Sequence, residues 1–207
     1  MEAATDKDQT YTGVANGIIT TVLEKIGQKD WRLISDQNGT TLESKSYLNV
    51  CLMPCYRARR PKIQKSPTNL LGRVWNINKK IVMQDDPDVT DWEVLEEGKG
   101  WRIIWQKMKL PFPIWPRDIV YVQTMVDHGD STYLVMYSTT HPKAPEDPTQ
   151  FVRSQMHTNV FGFQKRGDGL TDGFKVTQID PAGSIPTWVV NMFTGKLTGM
   201  LNKIADE

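Results

Sequence analysis

Three prolines within six residues shape the middle of this chain. In Lys109-Leu-Pro-Phe-Pro-Ile-Trp-Pro-Arg-Asp118, Pro111, Pro113 and Pro116 each fix φ and remove a backbone donor. Each also biases the residue before it away from the helical region. The segment is predicted to be a stiff exposed loop, and it cannot be a helix. It runs into Ile119-Val-Tyr-Val122, whose side chains favour a strand. A second constrained segment is Gln178-Ile-Asp-Pro-Ala-Gly-Ser-Ile-Pro-Thr-Trp-Val-Val-Asn191. Asp180-Pro-Ala-Gly183 is turn chemistry, and Ile185-Pro186 reads as a helix entry with proline near its first position.

The rest of the chain fills in around these two turns. Ile18, Ile19, Val22, Leu23 and Ile26 form one stripe, which predicts an amphipathic helix over 14–26 ended by Gly27. Strands at 31–34 and 41–47 flank Gln37-Asn-Gly39, a hairpin signal. Residues 48–63 have strand character broken by Pro54 and Pro61, and their pattern stays open. Ser66-Pro67-Thr68 starts a helix predicted to run to about residue 80, with Ser66 as N-cap. Strands follow at 91–96, 101–108, 119–127, 132–139, 151–163 and 174–179, and a helix at 185–205 ends the chain. A helix, many antiparallel strands and a long C-terminal helix make an α+β arrangement.

Bulk properties remove several functions. A chain of 207 residues fits one domain, 1–207, with a core or a core enclosing a cavity. A net charge of +1 gives no global field for nucleic acid. No run of about 18 apolar residues is present to span a membrane, and the polar, mixed-charge start is not a signal peptide. Cys51 and Cys55 are spaced C-x3-C, but zinc takes four ligands and the three histidines lie far away in sequence. They read as reduced, unpaired thiols of a cytoplasmic protein with no metal. Seven tryptophans and nine methionines suit an adaptable apolar surface. No G-x-S-x-G, H-E-x-x-H or P-loop occurs, so no enzyme signature or cofactor is expected.

Strand alternation orients part of the sheet. With Lys107 and Lys109 facing water, Ile104, Gln106, Met108 and Leu110 face inward. Ile119, Tyr121, Gln123 and Met125 share one face of the next strand, but both of its faces are apolar and the pattern alone does not orient it.

Taken in order, four pieces resemble the START family of StAR-related lipid-transfer domains. They are Pro111-Phe-Pro113 with Arg117-Asp118, then His141-Pro142, then Val152-Arg153, then Asp180-Pro through Asn191. The resemblance extends to Asp30-Trp-Arg-Leu33 and to Asp86-Pro-Asp-Val89 with Glu93-Val-Leu-Glu-Glu97, and so covers about residues 14–205. It implies the helix-grip fold, in which a curved antiparallel sheet wraps the long C-terminal helix and one lipid fills the space between them. It places the Ile119, Tyr121 and Gln123 face on the cavity, together with Arg153, Gln155, His157 and Asn159. Val189, Met192, Phe193 and Leu197 of the last helix complete the implied lining. Asp86, or Asp85 one register step away, falls where the ceramide and phosphatidylcholine branches carry an acid, Gln106 where the ceramide branch has an inward glutamine, and Gln123 where the sterol branch has a buried arginine.

The loop is most similar to the phosphatidylcholine branch, but the pocket departs from it. Gln106, Ile119 and His157 stand where that branch cages choline with aromatic rings, and Ile81–Val82 stand near its phosphate-binding arginine. The expected cargo is a phospholipid first, then ceramide or another sphingolipid, then a sterol. A lipid sensor that does not transfer is the alternative. Phe112, Ile114 and Trp115 are the expected membrane-docking gate, and Arg117 with Asp118 a structural pair at its base. Arg57, Arg59, Arg60 and Lys62, with Lys65, form a dense basic run suited to an anionic membrane surface. A monomer in the cytoplasm that visits membranes transiently is expected.

Overall fold

The computed structural model describes residues 5–183 and 185–206, so Ser184 of the second constrained segment lies outside the described residues. Helix α1 spans Asp6–Gly27. It begins eight residues before the predicted start at residue 14 because Thr5 and Asp8 cap it reciprocally. The Asp8 amide donates to Thr5 Oγ1 at 3.2 Å and the Thr5 amide to the Asp8 carboxylate at 2.7 Å. Strands β1 (Arg32–Gln37) and β2 (Thr40–Lys45) form the expected hairpin. Asn38 and Gly39 turn it with φ of 53° and 72°, the left-handed pair that a two-residue loop needs. The open stretch becomes β3, Cys55–Ile63. Its Pro61 sits where the ladder slips between Arg60 and Ile63, so the missing amide breaks no rung.

The single helix predicted from residue 66 is in fact two. Helix α2, Pro67–Trp75, is capped by Ser66. Asn78 then accepts from the Ile81 amide at 3.2 Å and starts α3, Lys79–Asp85. Asparagine side chains compete with the helix for backbone groups, which interrupts it here. The remaining strands are β4 (Val89–Gly98), β5 (Trp101–Met108), β6 (Arg117–Asp127), β7 (Ser131–Ser138), β8 (Val152–Arg153), β9 (Gln155–Lys165) and β10 (Thr171–Asp180). Helix α4, Thr187–Asp206, ends the fold.

The sheet order is β1-β2-β3-β10-β9-β7-β6-β5-β4, with the short β8 parallel to β6. Alternation gives it two buried faces. On one, Ala15, Ile19 and Val22 of α1 cover Val135, Val160, Phe174 and Val176. On the other, Leu70 and Val74 of α2 and Leu201 and Ile204 of α4 join Leu134, Met136 and Phe161. Gly162 is required on the α1 face, since a Cβ there would stand 2.2 Å from the Phe174 ring. Helix α4 lies against β2, β3, β10 and α2, so the curved antiparallel sheet grips the C-terminal helix, the helix-grip arrangement. Because Met108 pairs with Arg117, Met156 with Ile179, and Cys55 with Lys45, the segments 46–54, 109–116, 139–151 and 181–186 all leave the same end of the sheet.

Candidate ligand-binding cavity

The space between the sheet, α2, α3 and α4 is a cavity of about 870 Å³. Asp86, Gln106, Met108, Ile119, Tyr121, Gln123, Asn159, Phe193 and Leu197 lie on its wall. Ile104 shares their face of the sheet but is wholly buried in the surrounding apolar cluster and does not reach the cavity. His157 is a correction. The β9–β10 ladder pairs Gln178 with Thr158 and then Ile179 with Met156, so one residue bulges out. The bulge resets the alternation. Met156 and Asn159 face the cavity and His157 does not. Along α4, the lining residues Val190, Phe193, Leu197, Met200 and Ile204 follow helical spacing. Val189 is buried outside the lining, and Met192 is turned to solvent.

Polar groups in the wall are organised across strands. Cross-strand pairing aligns Arg102, Gln123, Met136, Asn159, Thr177 and Tyr56 in one continuous row, and all six line the cavity. The Arg102 guanidinium donates to Gln123 Oε1 at 2.5 Å and to the carbonyls of Trp75 and Ile77 at 3.0 and 3.3 Å. The rings of Trp75 and Trp92 lie 4.6 and 5.1 Å from it. Nearer the loops, Trp92 Nε1 donates to the Tyr121 hydroxyl, which donates to Gln106 Oε1 at 3.2 Å. Burial pushes the Tyr121 phenol up to about 12. It therefore stays a neutral hydrogen-bonding group at neutral pH.

Two residues escaped the sequence reading. Arg102 lies one alternation step beyond Ile104 and was reachable by extending the period. Lys175 lies in β10, where a lysine reads as solvent-facing, yet it is buried in the cavity wall. Its Nζ meets Met200 Sδ at 3.3 Å and lies 4.6 Å from the centre of the Phe161 ring. Burial pushes this amine down to about 8.

The acids at the mouth are already engaged. Lys196 of α4 pairs with Asp86 at 2.6 Å and Asp88 at 2.7 Å, and Lys203 pairs with Asp85 at 2.6 Å. These pairs join α4 to the α3 end. Asp86, which the resemblance places in the lining, is thus tied to the helix.

Arg117 and Asp118 are also corrected. Neighbouring strand residues point to opposite faces, so they do not pair with each other. Arg117 donates to the carbonyls of Trp115, Pro181 and Ala182, the last two at 3.1 and 2.9 Å, and so joins loop 109–116 to the turn before α4. Asp118 accepts two bonds from Arg153, both 2.8 Å, and one from Trp105 Nε1 at 2.8 Å.

Loop 109–116 carries a cis Phe112–Pro113 bond. Phe112 is 95% exposed and Trp115 51%, with Ile114 half-buried between them. The same end of the sheet also presents Leu48, Leu52 (87% exposed) and, at the start of α4, Trp188. The basic run, by contrast, is largely spent on internal pairs. Arg57 is buried against Glu43 at 2.8 Å and stacks on Trp31; Arg59 also reaches Glu43. Arg60 pairs with Asp206 and the Asn38 carbonyl, and Lys65 with the Ala205 carbonyl. Lys62 is exposed, at the end of β3 away from loop 109–116. Cys51 and Cys55 are free, buried thiols, and burial pushes Cys55 up to about 11. No described helix is long and apolar enough to cross a membrane.

The fold and the cavity fit what the family model assigns to this chain. The chain belongs to the START domain family, whose model matches residues 24–206. It is 29% identical over 100 residues to the phosphatidylcholine transfer protein of Bos taurus, a match covering 46% of each chain. It is 24% identical over 172 residues to an uncharacterized protein of Pseudomonas aeruginosa, covering 80% of this chain and 79% of that one. The human StAR-related lipid transfer protein 5 superposes with a TM-score of 0.74 at 17% identity, over 95% of this chain and 97% of that chain.

Proposed function

We propose that this chain holds one phospholipid in its cavity and carries it between membranes. The observation that supports this is the cavity itself, of about 870 Å³, in a fold whose loops at one end of the sheet carry the exposed Phe112 and Trp115. The Bos taurus relative, named as a phosphatidylcholine transfer protein, adds support for phospholipid over sterol. A lipid resists entering water by about 0.8 kcal/mol per buried methylene. A protein wall that replaces the bilayer's apolar contacts lowers that barrier, and no covalent step is needed. The cycle is docking through Phe112, Ile114 and Trp115, outward movement of α4, exchange of one lipid, and release. One copy of the chain supplies every part of it.

Native mass spectrometry with extraction of bound lipid, followed by vesicle-to-vesicle exchange, tests the proposal. A one-to-one phospholipid adduct with fast exchange supports a carrier. Binding without fast exchange makes the chain a sensor, and a ceramide or sterol adduct changes the cargo. A protein that takes up no lipid sinks the proposal.

The movement of α4 has its own test. A Cβ on Gly195 or Gly199 would meet nothing within 4 Å, so close packing does not require either glycine. Glycine inside a helix costs about 1 kcal/mol relative to alanine. Gly195→Ala with Gly199→Ala is expected to raise the melting temperature and slow exchange severalfold. Equal exchange rates would show that α4 moves without bending there.

A further inference from the structure

The cavity's charge is unbalanced in a way the whole chain is not. The chain carries +1, yet six basic residues (Arg73, Arg102, Arg117, Lys175, Lys196 and Lys203) and only two acidic ones, Asp85 and Asp86, line this space. Both acids are taken by Lys203 and Lys196. Among the described residues, no carboxylate pairs with Arg102, Arg117 or Lys175.

Lys175 is the sharpest case. An ammonium has three donors, and its neighbours in the wall are a thioether sulfur and an aromatic ring. Two residues along β10, Thr177 stands directly across from Asn159, as Lys175 stands across from Phe161. Thr177 Oγ1 and Asn159 Oδ1 are buried with no partner. Lys175, Thr177 and Asn159 are each more than nine-tenths buried and all face the cavity. Buried polar groups without partners are rare in folded proteins, and these two belong to residues that line the cavity, where a ligand group can reach them. A buried cation without a counter-ion is costlier still.

We propose that the bound lipid carries a net negative headgroup, a phosphate monoester or a carboxylate, held by Lys175 with Asn159 and Thr177 beside it. This rests on the lipid-carrier reading above and narrows its cargo. A phosphate monoester supplies acceptors for the ammonium and, as its monoanion, a hydroxyl for Asn159 Oδ1, whereas a carboxylate supplies acceptors alone. A choline headgroup would add a cation to a wall whose acids are already paired. Arg102 in the adjoining row adds to the favourable field, while its own donors are largely spent on Gln123 and two carbonyls.

The test uses the delipidated chain and vesicles holding phosphatidylcholine and phosphatidic acid in equal amounts, with captured lipid read by native mass spectrometry. A parallel arm replaces phosphatidic acid with oleic acid, to tell phosphate from carboxylate. The wild-type chain is expected to favour one anionic lipid by about tenfold or more, the scale of a charge-assisted hydrogen bond. Lys175→Met, which fits among Met200 and Phe161, should bring the ratio of anionic lipid to phosphatidylcholine in the captured pool down to about one. Lys175→Arg should keep the preference, and melting curves of both variants establish that they fold. Equal capture of phosphatidylcholine, or a preference for it, by the wild-type chain overturns the anionic headgroup and leaves lipid carriage standing. A preference that survives in Lys175→Met overturns the assignment to Lys175. Capture of no lipid in either arm overturns the carrier reading itself.

Discussion

Replacing Asp118 with alanine is expected to cost about 3–5 kcal/mol of folding stability, the range for removing one partner of a buried ion pair. Asp118 is almost fully buried and accepts three side-chain bonds of 2.8 Å, two from Arg153 and one from Trp105. Its backbone also anchors β8: the Ser154 amide donates to the Asp118 carbonyl at 2.8 Å, and the Val152 amide to Pro116 at 3.0 Å. Without the carboxylate, the Arg153 guanidinium keeps only the carbonyls of Ala144 and Pro145, at 3.2 Å, and its charge loses its counter-ion. A chain of this size loses about 2–4 °C of melting temperature per kcal/mol, so a fall of about 10 °C is expected by calorimetry. Pairing Asp118→Ala with Arg153→Leu should recover part of the loss, because the stranded cation is gone. A single variant that melts with the wild-type chain would mean that the pair contributes nothing.

How far the sequence leads depends on which physical rule governs each residue. Proline and turn chemistry act locally, so loop 109–116 and the entry to α4 are readable from Pro111, Pro113, Pro116 and Asp180-Pro-Ala-Gly183. Alternation along uninterrupted strands is also local, and it leads from Met108 to Gln106; for Ile119, Tyr121 and Gln123 both faces are apolar, and the family resemblance rather than the pattern chose the inward one. It fails at His157 because a bulge between β9 and β10 is a property of two strands in register, and no single strand encodes it. Arg117 and Asp118 show the same limit. Their partners, Pro181, Ala182 and Arg153, come from segments that only the folded sheet brings to one end. The basic run failed for the opposite reason. A row of arginines looks free until Glu43 and Asp206 arrive from distant positions. Lys175 breaks the rule that lysines face water. Places where local reasoning fails in this way are often functional.

Aspartate at both Phe112 and Trp115 is expected to slow vesicle-to-vesicle lipid transfer by at least tenfold while leaving the folded protein intact. Phe112 is almost fully exposed and Trp115 half so, and surface changes of this kind usually alter stability by no more than about 0.5 kcal/mol. Burying a large apolar side chain gains about 1.5–3 kcal/mol, and tryptophan is favoured at the water–lipid boundary. Removing both therefore takes several kcal/mol from docking, and the new charges add a desolvation cost. The prolines hold the loop stiff, so little ordering entropy opposes docking. The variant should still retain lipid already bound, because neither side chain lines the cavity. Loss of transfer with retained lipid, read by native mass spectrometry, separates docking from binding. Leu52 and Trp188 occupy other segments at the same end of the sheet, so Leu52→Asp should slow transfer as well, by a smaller factor. If the Phe112 and Trp115 variant transfers lipid at the wild-type rate, the exposed loop is not what meets the membrane, and entry must run by another edge of α4.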